Sequence, residues 1–267
     1  MKLIIHCGLH KTATTAFQRI CSDNRALLAE NAILYPHYDE TKQHSKLMHK
    51  IQADGIDSFR LFLRECINLH QANIDTILLS GEDFENCLLD TATAIQIENE
   101  ARHAGIQQVT WIFVHRPMYE YVESLYSEMS KHGVVLDRAT MMKAAETRGT
   151  LFVSTQHFNY IFSLNYWRHQ KNFSEVISGE VNSISFKKYK TGFAGKTILQ
   201  SLLSPERFEN FEGAALIPKT CLNARLPKEA IEENYIATAL KIDAALRVKF
   251  PYRYLLRFLT YFRLRGK

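Results

Sequence analysis

The chain has 267 residues, of which 46% are hydrophobic and 23% charged, as in globular proteins that bury a sizeable core. A formal net charge of +5 suits an anionic ligand or an acidic membrane surface. The chain contains no run of five or more Lys or Arg residues, so the charge does not indicate nucleic acid binding. The five cysteines are widely spaced, without CxxC pairs or zinc-type spacing, which favours reduced, mostly buried thiols.

Strand-like and helix-like patterns alternate over the first 130 residues. Buried strands are predicted at 3–7, 76–80 and 109–114, with helices at 12–30, 43–72 (two, broken near Asp54-Gly55) and 88–104. This order is typical of a three-layer α/β fold, in which a central parallel sheet is flanked by helices. Ligands of such sheets bind beyond the carboxyl ends of the strands, so we expect the binding residues within 8–15, 81–85 and 115–124.

The second half of the chain gives weaker patterns. We predict mostly helix at 137–170, a fourth strand at 183–187, and a long helix at 227–248 opened by Pro227. A basic aromatic segment follows at 251–265. We expect one domain over residues 1–267, with residues 225–267 as a C-terminal helical extension.

The segment after the first strand has the composition of a phosphate-binding loop. Gly8 follows the strand directly, Lys11 adds a mobile charge, and a helix start offers unpaired N–H groups. Three hydroxyl side chains stand beside the lysine: Thr12, Thr14 and Thr15. The Walker A pattern does not fit, because no glycine precedes Lys11 and the loop is too short. The alternative is a plain strand–turn–helix connection with an exposed lysine.

The stretch "HKTATT" resembles the Lys-Thr-Gly-Thr-Thr loop of sulfotransferases that use PAPS, 3′-phosphoadenosine 5′-phosphosulfate. The resemblance implies a P-loop nucleoside-triphosphate-hydrolase-like fold of the sulfotransferase type. It also implies that Lys11 neutralises the bridging oxygen as the sulfuryl group leaves. The 5′-phosphosulfate would be held by Gly8, Lys11, Thr12, Ala13, Thr14 and Thr15. Ala13 departs from the family pattern, because glycine there could adopt positive φ or allow close phosphate approach.

A second motif follows the third strand. Arg116 ends the strand, Pro117 fits the first turn of the next helix, and Ser124 follows eight residues after the arginine. The sulfotransferase family grips the 3′-phosphate of the cofactor with an arginine and a serine at this spacing. The resemblance thus implies selection of PAPS over ATP, since ATP would leave the arginine pocket unfilled. The alternative for Arg116 is a structural salt bridge.

The transfer of a sulfuryl group needs a base for the acceptor hydroxyl. Glu82 at the end of the second strand is the preferred residue, with Asp83 as its rival, and either acid could instead cap a helix. His10 and His115 lie beside the two motifs and could contact phosphate or act as the base. Three other histidines could line an acceptor cleft: His44, His49 and His157.

Two further features bear on partners. Asn223 and Arg225, near Lys228, could form the late basic loop that closes over the nucleotide in many sulfotransferases, or a plain loop with a helix cap. The segment 251–265 could lie on an anionic membrane surface or dock as a terminal helix. No signal peptide and no run of roughly 18 apolar residues is present, so we expect a cytoplasmic protein, with the membrane alternative placing it at the inner face.

The resemblance therefore implies a PAPS-dependent sulfotransferase with a carbohydrate or glycolipid hydroxyl as acceptor and PAP as the other product. Lys11, Glu82 and His10 form the expected catalytic set, and we expect no metal requirement because Lys11 and the helix dipole can stabilise the leaving phosphate. Two alternatives stay open: a P-loop-type kinase that uses ATP and Mg²⁺, and a non-catalytic module that retains a nucleotide-binding fold as an interaction surface.

Overall fold

A computed structural model describes residues 1–69, 73–132, 134, 136–154, 159–218 and 227–249. Seven strands are present in these ranges: β1 (Lys2–Gly8), β2 (Ile33–Leu34), β3 (Thr76–Ser80), β4 (Gln108–His115), β5 (Thr150–Ser154), β6 (Asn159–Ser163) and β7 (Glu180–Ser185). Five of them form one parallel sheet in the order β2-β3-β1-β4-β7. β5 and β6 form a separate antiparallel hairpin.

Helices connect the strands and continue the chain after β7. They are α1 (Thr14–Asp23), α2 (Arg25–Glu30), α3 (Ser45–Asp54), α4 (Asp57–Leu69), α5 (Thr91–His103), α6 (Met118–Lys131), α7 (Arg138–Thr147), α8 (Tyr166–Val176), α9 (Phe186–Tyr189), α10 (Lys196–Leu202), α11 (Pro205–Ala214) and α12 (Lys228–Lys249). A 3₁₀ helix, Glu82–Leu88, directly follows β3. The prediction of an α/β fold with a central parallel sheet flanked by helices is confirmed.

The sheet is buried on both faces, and this explains its apolar strands. In β1, Leu3, Ile5 and Cys7 belong to one core cluster, whereas Ile4 belongs to the cluster on the opposite face. Successive side chains of a strand point to opposite faces, so a strand covered on both sides needs a continuous apolar run. Cys7, Cys21, Cys66 and Cys87 are buried free thiols, whereas Cys221 lies outside the described residues.

The chain order places β1 at the point where connections diverge. From β1 the chain runs to the edge strand β2, whereas from β3 it passes across β1 to reach β4 on the other side. A crevice forms beyond the carboxyl ends of the strands at such a switch point. The loop after β1 therefore begins in the position where ligands of open parallel sheets bind.

Several predicted boundaries need correction. The expected helix at 12–30 is divided at Asn24, whose side chain donates to the carbonyl oxygens of Ile20 and Leu216 at 2.8 and 3.1 Å. Pro117 precedes α6 and is not in its first turn. The fourth strand spans Glu180–Ser185, three residues earlier at its start than expected.

The prediction of mostly helix at 137–170 is wrong for its centre, which forms the β5–β6 hairpin. Leu151 and Val153 are buried, but Phe152 between them is 63% exposed and faces the exposed Ile161 of β6. Because apolar side chains occupy both faces, the sequence lacks the alternation that usually marks a half-buried strand.

The C-terminal part contains the expected long helix. α12 begins directly after Pro227, and its Tyr235 lies 6.4 Å from Tyr126 of α6, measured between ring centroids. Among the described helices, none combines the length and apolar character needed to cross a membrane. The segment predicted at 251–265 lies outside the described residues.

Candidate functional site

The loop after β1 has a strained backbone at two residues. Lys11 has φ of 64° and Ala13 has φ of 60° with ψ of 25°, which is the left-handed region. Each non-glycine residue there costs roughly 1–2 kcal/mol. Ala13 is the residue at which the sulfotransferase pattern has glycine, and its conformation is one that glycine adopts more readily. The loop thus keeps a tight path into α1 despite this substitution.

Gly8 is required by the close approach of Thr14. A Cβ atom on Gly8 would lie 1.9 Å from the Thr14 methyl carbon, far inside van der Waals contact. The approach lets the Thr14 hydroxyl donate to Glu82 Oε1 at 2.6 Å. The Thr12 hydroxyl is also directed to protein, since it donates to the Leu9 carbonyl oxygen at 2.5 Å. Thr15 is exposed.

Lys11 is held by the helix that follows β4. Its ammonium lies 2.9 Å from Glu128 Oε2 on α6, and Lys131 contacts the same oxygen at 3.1 Å. His132 lies 3.5 Å from the other oxygen. Partial burial would raise the pKa of Glu128, but the bonds from Lys11 and Lys131 lower it to about 2. The lysine of the predicted anion loop is therefore paired with a carboxylate across 117 residues of sequence.

His10 joins this loop to the acidic segment after β3. Its Nδ1 lies 2.8 Å from Glu82 Oε2, and its Nε2 lies 3.9 Å from Asp83 Oδ1. Burial would lower the pKa of His10, but the hydrogen bond with Glu82 and the charges of Glu82, Glu85 and Asp83 raise it to about 9. His10 is therefore an imidazolium at neutral pH, with a hydrogen on each nitrogen.

Both predicted base residues are held as carboxylates. Burial would raise the pKa of Glu82, but bonds from His10 and Thr14 lower it below its usual range. Burial likewise opposes ionisation of Asp83, whose pKa is lowered by His49 and His10; His49 Nε2 lies 3.2 Å from Asp83 Oδ2. The Glu82 and Asp83 side chains are 20% and 10% exposed, so both reach the surface of the crevice.

Glu85 is a site residue that sequence reasoning missed. Its fully buried carboxylate accepts the backbone N–H of His10 at 2.9 Å and that of Ser163 at 2.7 Å, and Tyr121 Oη lies 3.4 Å away. Burial raises the pKa of Glu85 to about 7. The residue ties the loop after β1 to the end of β6 and to α6. The only signal in the sequence was a third acid in the segment "GEDFEN".

The second motif lies at the end of the neighbouring strand. The Arg116 guanidinium carbon lies 3.6 Å from the ring centroid of Phe186, the first residue of α9, and Lys190 Nζ lies 4.9 Å from the same ring. The register of β4 with β7 pairs His115 with Ser185, which brings Phe186 beside Arg116. Ser124 is half-buried on α6, two turns into the helix. Asn223, Arg225 and His157 lie outside the described residues.

Two predicted histidines have mainly structural surroundings. His115 stacks on Tyr166 with ring centroids 5.0 Å apart, and partial burial lowers its pKa. His44 is buried, accepts the Ser80 N–H at Nδ1 and contacts the Pro36 carbonyl oxygen at 2.9 Å through Nε2. Burial lowers the pKa of His44 to about 4, so it stays neutral.

Comparison with known proteins gives no relative for this site. No family model matches the chain, and no curated protein matches it. Within the described ranges, no group of three or more His, Cys, Asp or Glu side chains has the arrangement of a metal site. The groups available for chemistry are the cations, the paired acids and the histidine that lie beyond β1, β3 and β4.

Proposed function

We propose that the protein is a PAPS-dependent sulfotransferase with a P-loop-like fold. The observation that carries the proposal is the placement of two cationic motifs after neighbouring strands. β1 and β4 pair with Gly8 opposite Val114, so Lys11 and Arg116 follow strand ends that are adjacent in the sheet. A ligand with anionic groups at two positions suits this arrangement.

The distance between the motifs fits one nucleotide. Neighbouring strands lie roughly 4.8 Å apart, so the β1 loop and the Arg116–Phe186 contact are separated by one to two strand spacings. The 5′ group of a nucleotide would bind at the loop and first turn of α1, where N–H groups and a partial positive charge favour anions. The 3′-phosphate would bind at Arg116, with Ser124 supplying a hydroxyl from α6. Asn223 and Arg225 remain proposed contacts of the nucleotide.

The proposed reaction is an in-line displacement at sulfur. An oxygen lone pair of the acceptor hydroxyl attacks the sulfur, and the bond from sulfur to the bridging oxygen of the 5′-phosphate breaks. The hydroxyl proton passes to a carboxylate of the Glu82–Asp83 pair, and the products are a sulfate ester and PAP. Lys11 neutralises the charge that develops on the bridging oxygen, which requires its ammonium to exchange Glu128 for the ligand.

The Glu128 pair gives Lys11 a defined resting position. The ammonium and the carboxylate are each about one-quarter exposed, so their mutual attraction is modest and a doubly charged phosphate can displace it. Because the Lys11 ammonium would move from Glu128 to the ligand, a cation stays at the loop both with and without the nucleotide. We infer a carbohydrate or glycolipid hydroxyl as the acceptor and a cytoplasmic location, with contact of residues 251–265 to the inner membrane face as the alternative to a docked terminal helix.

The test is transfer of label from ³⁵S-PAPS to a panel of glycan, lipid and phenolic acceptors. We expect labelled product with the wild type, a loss of on the order of 10²-fold or more in Lys11→Ala, and wild-type transfer in Lys171→Ala, an exposed lysine on α8. Hydrolysis or transfer from γ-labelled ATP, with none from PAPS, would instead support the kinase alternative and refute the proposal.

A further inference from the structure

Two buried polar atoms without partners lie on adjacent rings between the loop after β1 and the β5–β6 hairpin. His10 lies edge-on against Tyr160 of β6, with ring centroids 4.6 Å apart, and Phe162, which packs against Tyr160, lies 5.2 Å from His10. His10 Nε2 and the Tyr160 hydroxyl are both buried, and neither has a hydrogen-bond partner among the described residues. Asp83 Oδ1, at 3.9 Å from His10 Nε2, is beyond hydrogen-bond distance.

Such unpaired atoms are costly in a folded protein. Each buried donor or acceptor without a partner destabilises the folded state, and native structures contain few of them. The Tyr160 residue is only 9% exposed, so bulk water does not solvate its hydroxyl. A polar ligand bound beside these two rings and the ionised Asp83 carboxylate would supply the missing partners.

The surrounding charges select the chemistry of that ligand. His10 donates through Nε2–H because its pKa is about 9, whereas Asp83 can only accept because its pKa is lowered. A hydroxyl group can accept from His10 and donate to Asp83. An ammonium cannot accept from His10, and an anionic oxygen is repelled by Asp83.

The Asp83 carboxylate links this cluster to a larger groove through His49. His49, which holds the second Asp83 oxygen, also lines a cavity of about 600 Å³ between α3 and the segment after β2. Most of the lining residues carry charged or polar groups, but the surface they expose to the groove is largely apolar; they are Tyr38, Asp39, Lys46, His49, Lys50, Ala53 and Asp54. Lys46 and Asp39 neutralise each other at 2.8 Å. A sugar ring, which has apolar C–H faces and hydroxyl groups at its edge, suits a lining of this mixed kind.

We propose that His10 Nε2, the Tyr160 hydroxyl and Asp83 Oδ1 form a binding subsite for a hydroxyl group of the acceptor, and that the His49 groove holds the remainder of a carbohydrate-like acceptor. The proposal rests on the proposed sulfotransferase function and names Tyr160 as an acceptor-binding residue. It assigns proton acceptance to Asp83 in preference to Glu82, because both Glu82 oxygens already receive protein donors.

Tyr160→Phe gives the sharpest test, because ligand binding and structural support predict different results. The lost hydroxyl has no protein partner in the described chain, so the melting temperature should stay the same or rise. At the same time, kcat/KM for methyl glycoside acceptors should fall about 3- to 10-fold, as expected for one lost hydrogen bond, while the Kd for PAP is unchanged. The matched control is Tyr35→Phe, which removes the bond to the Lys42 carbonyl oxygen at 2.8 Å. It should lower the melting temperature and leave kcat/KM unchanged.

A second comparison tests the hydroxyl chemistry and separates the two proposals. Methyl glucoside should be sulfated and should raise the melting temperature of the wild type more than that of Tyr160→Phe, with or without PAP. Its 2-amino analogue should give no product labelled on nitrogen. The subsite is refuted by unchanged acceptor kinetics in Tyr160→Phe, by N-sulfation, or by glycoside shifts that are absent or equal in the two proteins. Failure of PAP to bind, with Tyr160-dependent glycoside shifts retained, would refute only the sulfotransferase function.

Discussion

The contact between Gly8 and Thr14 gives a quantitative prediction about the anion loop. In Gly8→Ala, the new methyl would lie 1.9 Å from Thr14 Cγ2, so one of the two side chains must move. If Thr14 rotates, its 2.6 Å bond to the ionised Glu82 is lost, which costs about 1.5–3 kcal/mol. If the backbone shifts instead, overpacking costs about 1–3 kcal/mol. Either response lowers the free energy of unfolding by about 1–3 kcal/mol.

A second substitution, at Thr14, should relieve the clash. Thr14→Ser removes the methyl carbon that the added Cβ would strike and keeps the hydroxyl that donates to Glu82. In urea unfolding, the double variant Gly8→Ala/Thr14→Ser should therefore be more stable than the sum of the two single changes, by about 1–2 kcal/mol. Gly213→Ala on α11 is the matched control, because nothing lies within 4 Å of the added atom; it should stabilise by about 0.5–1 kcal/mol. Additive effects of Gly8→Ala and Thr14→Ser would refute the reasoning.

Three further predictions concern the same loop. The folded-state pKa of about 9 for His10 exceeds its usual 6.5, so the stability that protonated His10 contributes is complete below pH 6.5 and is lost as pH rises through 9. In urea unfolding, the free energy of unfolding of the wild type should fall by up to about 3 kcal/mol over this range, and His10→Gln should lack this fall. Parallel pH profiles of the two proteins would contradict this prediction. Glu128→Gln should bind PAP about 2- to 5-fold more tightly in calorimetry, because Lys11 no longer leaves an ion pair; weaker binding would mean that Glu128 orients the lysine for the ligand. Ala13→Gly should raise the free energy of unfolding by about 0.5–1 kcal/mol because φ is 60°, whereas Ala16→Gly inside α1 should lower it; equal losses would contradict the left-handed conformation.

The central part of the fold could be predicted because its strands are short apolar runs buried on both faces. Thr76–Ser80 matched its predicted bounds, and the helix pair broken near Gly55 was confirmed as α3 and α4. The positions beyond β1, β3 and β4 followed from the parallel order, since carboxyl ends of parallel strands meet at one edge. An apolar run predicts such a strand because helices cover both faces of the sheet, so successive side chains on either face must be apolar.

The partners of the site residues could not be predicted from one sequence. Lys11 meets Glu128 and His10 meets Tyr160 across more than 100 residues, and no local pattern marks such pairs. Thr12 and Thr14 were expected to hold the 5′ group of the nucleotide, and this stays a prediction; their hydroxyls donate to Leu9 and Glu82 in the structure. The β5–β6 hairpin, which carries Tyr160, was missed because its outer face is apolar.

The proposed function depends on whether one ligand is held at both its 5′ and its 3′ phosphate. Calorimetric titration with PAP and with AMP, which lacks only the 3′-phosphate, measures this directly on the wild type and on Arg116→Ala. We expect PAP to bind the wild type at least about tenfold more tightly than AMP, as for a charge-assisted hydrogen bond, and Arg116→Ala to remove the difference. Equal affinities of the wild type for PAP and AMP would contradict the two-ended grip and, with it, the proposed function.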